Sequence, residues 1–256
     1  MSSWIIAKSI SKQKVVPIKS YHMTESSADV PSIYMDFLAA YIYSQKMGEQ
    51  CSVWDPTGIL NTTFNSNPQV KLLKEKPDTT ALTISAYEGI LKTMKIRDVQ
   101  KFSAALLEYT SAFSRALSQV LEKASIRQEF DIGIHVIKNA DGSNLAAYAD
   151  VLKAYQMKTK KTNFSVYIMS DTYSTVQAIQ KLCNPTWKIV SLSRNAPKDA
   201  YEGFIQMMAE TKILSALPAL VLDFNHSIDR YIYLMQNNTV RVDFFKEIND
   251  KEWKLI

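Results

Sequence analysis

Between residues 131 and 235 the chain alternates short runs of β-forming residues with stretches of helical periodicity, and this alternation narrows the possible folds more than any other feature. Residues 131–137, 164–170, 187–192 and 219–224 read as strands, and 144–158, 174–182, 201–215 and 227–235 as helices. Repeated strand–helix units need crossover connections, so the strands run parallel and helices cover both faces. A doubly wound sheet is therefore predicted, and such sheets take ligands beyond the carboxyl ends of their strands.

The first half follows the same plan less distinctly. Residues 4–7, 51–54 and 81–85 read as strands, and Asp55-Pro56-Thr57-Gly58 as a turn after the second of these. Ile33, Phe37, Leu38, Tyr41 and Ile42 are spaced for a helix over 33–47. A longer helix over 98–124 carries Phe102, Leu106, Tyr109, Phe113, Leu117, Val120 and Leu121 on one stripe, which reads as core. Two domains are expected, residues 1–125 and 126–256, both α/β.

Composition excludes several function classes. With 46% hydrophobic and 21% charged residues, the 256-residue chain can bury an ordinary core. A net charge of +5 and a pI near 9.0 suit a phosphorylated small ligand without demanding nucleic acid. Lys158, Lys160 and Lys161 read as a solvated helix end. Cys51 and Cys183 lack metal-binding spacing and the three histidines are dispersed, so no metal site is expected and both thiols read as free and buried. Only six glycines occur, and neither a dinucleotide fingerprint nor a phosphate-binding P-loop can be written from them. No apolar run approaches a membrane span, the amino terminus does not read as a signal peptide, and the N-x-Ser/Thr matches at Asn61, Asn163, Asn225 and Asn237 read as chance. A cytoplasmic protein is expected.

The polar residues of interest follow the predicted strands. His135, Lys138 and Asp141 lie on or after the first, Asp171 after the second, and Asp223-Phe224-Asn225-His226-Ser227-Ile228-Asp229-Arg230 after the last. Asn225 or Ser227 can cap the helix that begins there, whose free amides then form a site for a phosphate or diphosphate. Asp171 can be a helix cap, or can accept hydrogen bonds from a guanine edge or a ribose hydroxyl. His135 is either packed or a partner for a base or phosphate, and Lys138 can neutralise phosphate charge.

At these residues the sequence resembles the fucosyltransferase superfamily, which includes α1,6-fucosyltransferases, bacterial nodulation fucosyltransferases and protein O-fucosyltransferases. A superfamily strand reading roughly I-G-V-H-x-R-R corresponds to Ile132-Gly133-Ile134-His135-Val136-Ile137-Lys138, and V-Y-L-A-T-D-D to Val166-Tyr167-Ile168-Met169-Ser170-Asp171. The block L-S-x-A-D-x-x-V-x-T-F-S-S-x-x-S-R-x-x-Y corresponds to the stretch from Leu214 to Tyr233, with Arg230 on its arginine and Glu210 matching an acidic residue upstream. The resemblance implies a GT-B-like α/β architecture, with two Rossmann-like domains whose parallel sheets face a cleft. It implies inverting, metal-independent transfer of a sugar, fucose from GDP-fucose, to a glycan or protein acceptor. By position, His135 and Asp171 would contact the base, and Lys138, Asn225, His226, Ser227 and Arg230 the rest of the nucleotide sugar. Lys138 would act at the leaving group, and Asp29, Asp36, Asp55 and Asp141 are the carboxylates to consider as general base, Asp141 first among them.

Two departures stand out. The first arginine of the superfamily pair falls on Ile137, and Ala28-Asp29-Val30-Pro31-Ser32 replaces a glycine-rich turn. An isoleucine cannot stabilise a leaving diphosphate, and lysine lacks the bidentate fork of arginine. The alternative is accordingly a catalytically inactive GT-B-like binding or assembly protein. The pI alone motivates a nucleic-acid-associated protein, and nucleic acid is not the partner expected.

Overall fold

The computed structural model describes residues 19–22, 34, 37–39, 41–42, 45–46, 51–55, 58–66, 70–73, 82–83, 94, 96–106, 108–123, 129–137, 142, 144–194, 197–223, 226–236 and 244–247. The strand expected at 4–7 lies outside them. The chain forms two compact units, one from residues 1–94 with 106–108 and the other from 95–105 with 109–256.

The first unit holds a parallel sheet of β1 (Lys19–His22), β2 (Cys51–Trp54), β3 (Val70–Leu73) and β4 (Leu82–Thr83), in the order β3-β2-β1-β4. β1 and β3 add to the strands expected from sequence. Lys19-Ser20-Tyr21-His22 is polar throughout and gives no alternation to detect, while Val70–Leu73 is too short to stand out. The turn after β2 is closed by Asp55, whose carboxylate accepts from the amides of Gly58 (3.0 Å) and Leu60 (2.8 Å). Gly58 sits at φ 69°, a left-handed conformation glycine adopts without strain, and α1 (Ile59–Thr63) starts immediately after it. Phe37, Leu38, Tyr41 and Ile42 are helical and buried, as their spacing predicts, and so is Tyr34; Ile33 lies outside the described residues.

The second unit is built on β5 (Ile132–His135), β6 (Ser165–Met169), β7 (Lys188–Val190), β8 (Ala219–Leu222) and β9 (Phe244–Glu247). All five are parallel, in the order β7-β6-β5-β8-β9. Helices α4 (Leu145–Thr159), α5 (Tyr173–Gln180), α6 (Ala200–Ser215) and α7 (Ser227–Met235) fall within one or two residues of the predicted positions. β9 is an addition.

Every residue of β5, β6 and β8 is buried, as strands covered on both faces must be. Ile132, Ile134, Val166, Ile168 and Val221 join Tyr148 and Leu152 of α4 and Val176 and Ile179 of α5 in one core. Each such side chain contributes on the order of 1.5–3 kcal/mol. On the other face, a Cβ at Gly133 would fall 2.4 Å from Leu214 Cδ2 and 2.7 Å from Leu217 Cδ1. The missing side chain lets the end of α6 lie directly on β5.

The helix expected at 98–124 is two helices, α2 (Ile96–Leu106) and α3 (Ser111–Lys123). Thr110 Oγ1 accepts from the amide of Phe113 (3.2 Å) and so caps α3, and the carbonyl of Glu108 accepts from Asn65 N (2.6 Å) instead of continuing a helix. The stripe of apolar residues runs through the break, which is why periodicity alone did not reveal it. α3 packs on α6, with Phe113 and Phe204 rings 5.5 Å apart, and Gln100 of α2 donates to the Tyr233 carbonyl of α7 (3.3 Å). These contacts tie both helices to the second unit, so the compact units part at residue 94 rather than at 125.

Candidate functional site

In the second sheet β5 lies between β6 and β8, and the chain winds outward from it in both directions. The crevice at the carboxyl ends of β5 and β8 is the topological switch point, where sheets of this order bind ligands. A cavity of about 540 Å³ opens at this end of the sheet. Its walls include Asp171 and Thr172 after β6, Ser193 after β7, Gln206 and Glu210 on α6, and Ile228 on α7.

Asp171 is exposed and borders the cavity. The capping role open to it in the sequence belongs to Thr172, which has extended backbone angles and whose hydroxyl accepts from Thr175 N (3.4 Å). Asp171 therefore carries a carboxylate at the cavity mouth with no capping duty.

Glu210 is the site residue that sequence reasoning undervalued. It is 4% exposed, lines the cavity, and receives the Tyr167 hydroxyl from β6 (3.2 Å). Burial pushes its carboxyl up to about 8, against the opposing effects of the Tyr167 hydrogen bond and His135, so it holds a proton at neutral pH. The available signal was an acidic residue in the middle of a helix whose neighbours, Met208, Ala209 and Thr211, are all buried.

His135 ends β5, but its side chain does not border the cavity among the described residues. It is 2% exposed, and its Nδ1 lies 3.0 Å from each carboxylate oxygen of Asp229, itself 0% exposed in the first turn of α7. His135, expected from sequence to meet a base, forms a buried bridge between β5 and α7. Burial alone would lower its pKa, but Asp229, with Asp171 and Glu210, offsets this and raises it above the ordinary value.

The helix cap expected at Asn225 or Ser227 falls instead on His226, which has extended backbone angles and makes no side-chain capping bond. Its Nε2 stands 3.5 Å from Asp223 Oδ2, and the ring is 42% exposed outside the cavity. Ser227 opens the helix and Arg230 lies in its first turn, partly buried. Lys138, Asp141 and Asn225, like Asp29 and Asp36, lie outside the described residues. Asp55 is 2% exposed and committed to two backbone amides, so it closes a turn and is no candidate base.

A larger hollow of about 770 Å³ lies at the amino ends of the same strands, lined in part by Asp131, Lys161, Lys212 and Leu217. Lys161 pairs with Asp131, whose carboxyl is held below its ordinary value by that lysine and Ser165 despite burial. Ala216 there follows the carboxyl end of α6, where the helix dipole is negative, so this end of the sheet is ill suited to an anion. Among the described residues no three His, Cys, Asp or Glu side chains come together as metal ligands, and no helix is long and apolar enough to cross a membrane.

No protein-family model and no curated protein matches the sequence. Solved structures do match. The NodZ α1,6-fucosyltransferase soaked with GDP-fucose superposes with a TM-score of 0.57 at 12% identity, over 86% of this chain and 92% of that one. A mutant of Arabidopsis thaliana FUT1 in complex with GDP gives 0.58 at 12% identity, over 86% and 68%. POFUT1 in complex with GDP gives 0.51 at 7% identity, over 90% and 98%. The fold of the chain is thus the mixed α/β, parallel-sheet fold of these fucosyltransferases.

Proposed function

We propose that the chain is a glycosyltransferase that moves a sugar from a nucleotide sugar to a glycan or protein acceptor, with GDP-fucose as donor. The observation that carries this is the cavity at the carboxyl ends of the strands, with Asp171 released from capping at its mouth. The fold agrees with that of proteins solved in complex with GDP or soaked with GDP-fucose.

In this proposal Asp171 and Glu210 meet the base and ribose, and His135 acts from behind the cavity wall. The diphosphate is met by the amino end of α7 with Lys138, Asn225, His226, Ser227 and Arg230. Transfer is inverting and metal-independent: an acceptor hydroxyl attacks the anomeric carbon as the bond to the diphosphate oxygen breaks. Its proton passes to a carboxylate, Asp141, and the departing diphosphate takes up the bond's electron pair. Donors aimed at the leaving oxygens are each worth about 3–4 kcal/mol of barrier in comparable sites. Ile137, which stands where the superfamily has an arginine, favours the second proposal, a protein that binds the nucleotide without transferring sugar.

A nucleotide panel tests the donor. GDP at about 100 times its Kd should stabilise the protein by about 2.7 kcal/mol. For a chain of this size that raises Tm by about 5–10 °C. UDP, ADP and CDP should do less, and Asp171→Ala should shrink the GDP shift to about half. If none of the four stabilises the protein, the donor assignment is wrong. Release of GDP from GDP-fucose in the presence of glycan or protein acceptors separates transfer from inert binding.

A further inference from the structure

Among the described residues, no lysine, arginine or histidine borders the cavity at the carboxyl ends of the strands. A diphosphate would find no cation there and the carboxylate of Asp171 to repel it. The uncharged part of a nucleotide is the part that suits such a space. Met169, Tyr173, Pro197 and Met207 give it apolar walls. A pocket of this kind holds its ligand by apolar contact and selects it by a few polar groups.

α6 turns one face to this cavity, where Gly203, Gln206, Met207 and Glu210 recur at the three- and four-residue spacing of a helix face. Four polar side chains of α6 are spent within the fold. Glu202 accepts from the Lys198 amide (2.7 Å) and Glu210 from the Tyr167 hydroxyl (3.2 Å). The hydroxyls of Thr211 and Ser215 donate to the carbonyls of Met208 and Lys212. Gln206 makes no such bond among the described residues, although it is half-buried and borders the cavity. A half-buried carboxamide whose donor and acceptor go unused within the fold has them free for a ligand. Gly203, one turn before it, has no side chain to cover it.

We propose that Gln206 is a specificity-determining residue that reads position 6 of the base: Nε2–H donates to O6 of guanine and Oε1 accepts from N1–H. Guanine is the base named by the nucleotide-sugar proposal above, on which this one rests. A carboxamide holds a donor beside an acceptor, and the O6 and N1–H edge presents the matching acceptor and donor. The 2-amino group beside that edge calls for an acceptor alone, which falls to the acidic residues of the wall. Gln206 thus sets recognition at position 6, and the acids set it at position 2.

Calorimetric binding of GDP, 6-thio-GDP and IDP to the natural protein and to Gln206→Met tests this. Methionine keeps the length and helix propensity of the side chain without its amide. Sulfur at position 6 is a weaker acceptor than oxygen, and IDP lacks the 2-amino group. The natural protein should bind 6-thio-GDP several-fold more weakly than GDP. Gln206→Met should bind GDP about tenfold more weakly than the natural protein does, the effect of losing both hydrogen bonds. It should bind 6-thio-GDP as well as GDP, while its preference for GDP over IDP stays that of the natural protein. Unchanged GDP affinity in the variant would overturn the proposal and leave the donor assignment standing. So would a loss on sulfur substitution equal in both proteins, or a preference over IDP that collapses with the amide, as a general loss of shape would give. If the variant does not fold, the natural protein decides, and 6-thio-GDP bound as tightly as GDP overturns the proposal. If the natural protein binds no GDP, the donor assignment fails and the role of Gln206 fails with it.

Discussion

Glutamine has the shape of glutamate without its charge, and Glu210→Gln should make the protein less sensitive to alkali. Glu210 is 4% exposed, and burial moves its carboxyl from the ordinary 4.5 to about 8 in the folded state. In the unfolded chain the group titrates near its ordinary value. Between those two values the folded protein keeps a proton that the unfolded chain has released. Stability therefore falls as pH rises from about 4.5 to about 8, then levels off once both states are ionised. At 1.36 kcal/mol per pH unit the whole window amounts to about 5 kcal/mol. The variant ionises in neither state and keeps an oxygen for the Tyr167 hydroxyl. It should match the natural protein at about pH 4 and exceed it by several kcal/mol, about 3–5, at about pH 9. Urea denaturation at a series of pH values, followed by near-ultraviolet circular dichroism, measures the difference. Parallel pH profiles for the two proteins, or a variant less stable at about pH 9, would show that Glu210 is not held protonated by burial.

Two further outcomes follow from the second unit. Gly133→Ala places a methyl group against Leu214 and Leu217, which are 0% and 7% exposed, and should cost about 1–3 kcal/mol by denaturation. A loss below about 0.5 kcal/mol would mean that the two leucines move aside freely. Cys183 is buried, and burial lifts its thiol to about 11 despite Lys153. At about pH 7 only on the order of one molecule in ten thousand then carries the thiolate. Brief alkylation should leave Cys183 unmodified in the native protein and label it in denaturant, as read by peptide mass spectrometry.

Much of the second unit was legible in the sequence because its strands are buried on both faces. Ile132–His135, Ser165–Met169 and Ala219–Leu222 stand out as apolar runs, and of the helices between them α5 and α6 are opened by the caps Thr172 and Asp199. The first unit was harder to read, since β1 is polar and the apolar stripe of α2 and α3 passes unbroken through a turn set by Thr110 and Glu108. Position along the chain put Asp171 and the start of α7 after strand ends, and Asp171 and Ile228 border the cavity there. What it could not supply was direction. His135 turns inward because Asp229, 94 residues away, is there to receive it. Glu210 reaches the cavity because α6 packs on the sheet with that side chain against Tyr167 of β6. Both facts depend on how helices settle on a sheet, and neither leaves a mark in local periodicity.

The exchange of duties between Asp171 and Thr172 bears on how this chain can change over evolutionary time. Since Thr172 ends the turn before α5, selection for a sound helix acts there and leaves its neighbour unconstrained. Position 171 can drift through acidic, amide and hydroxyl side chains at little cost to folding. Under the proposed function, the variation at residue 171 among descendants of this chain would therefore record a history of ligands rather than a history of stability.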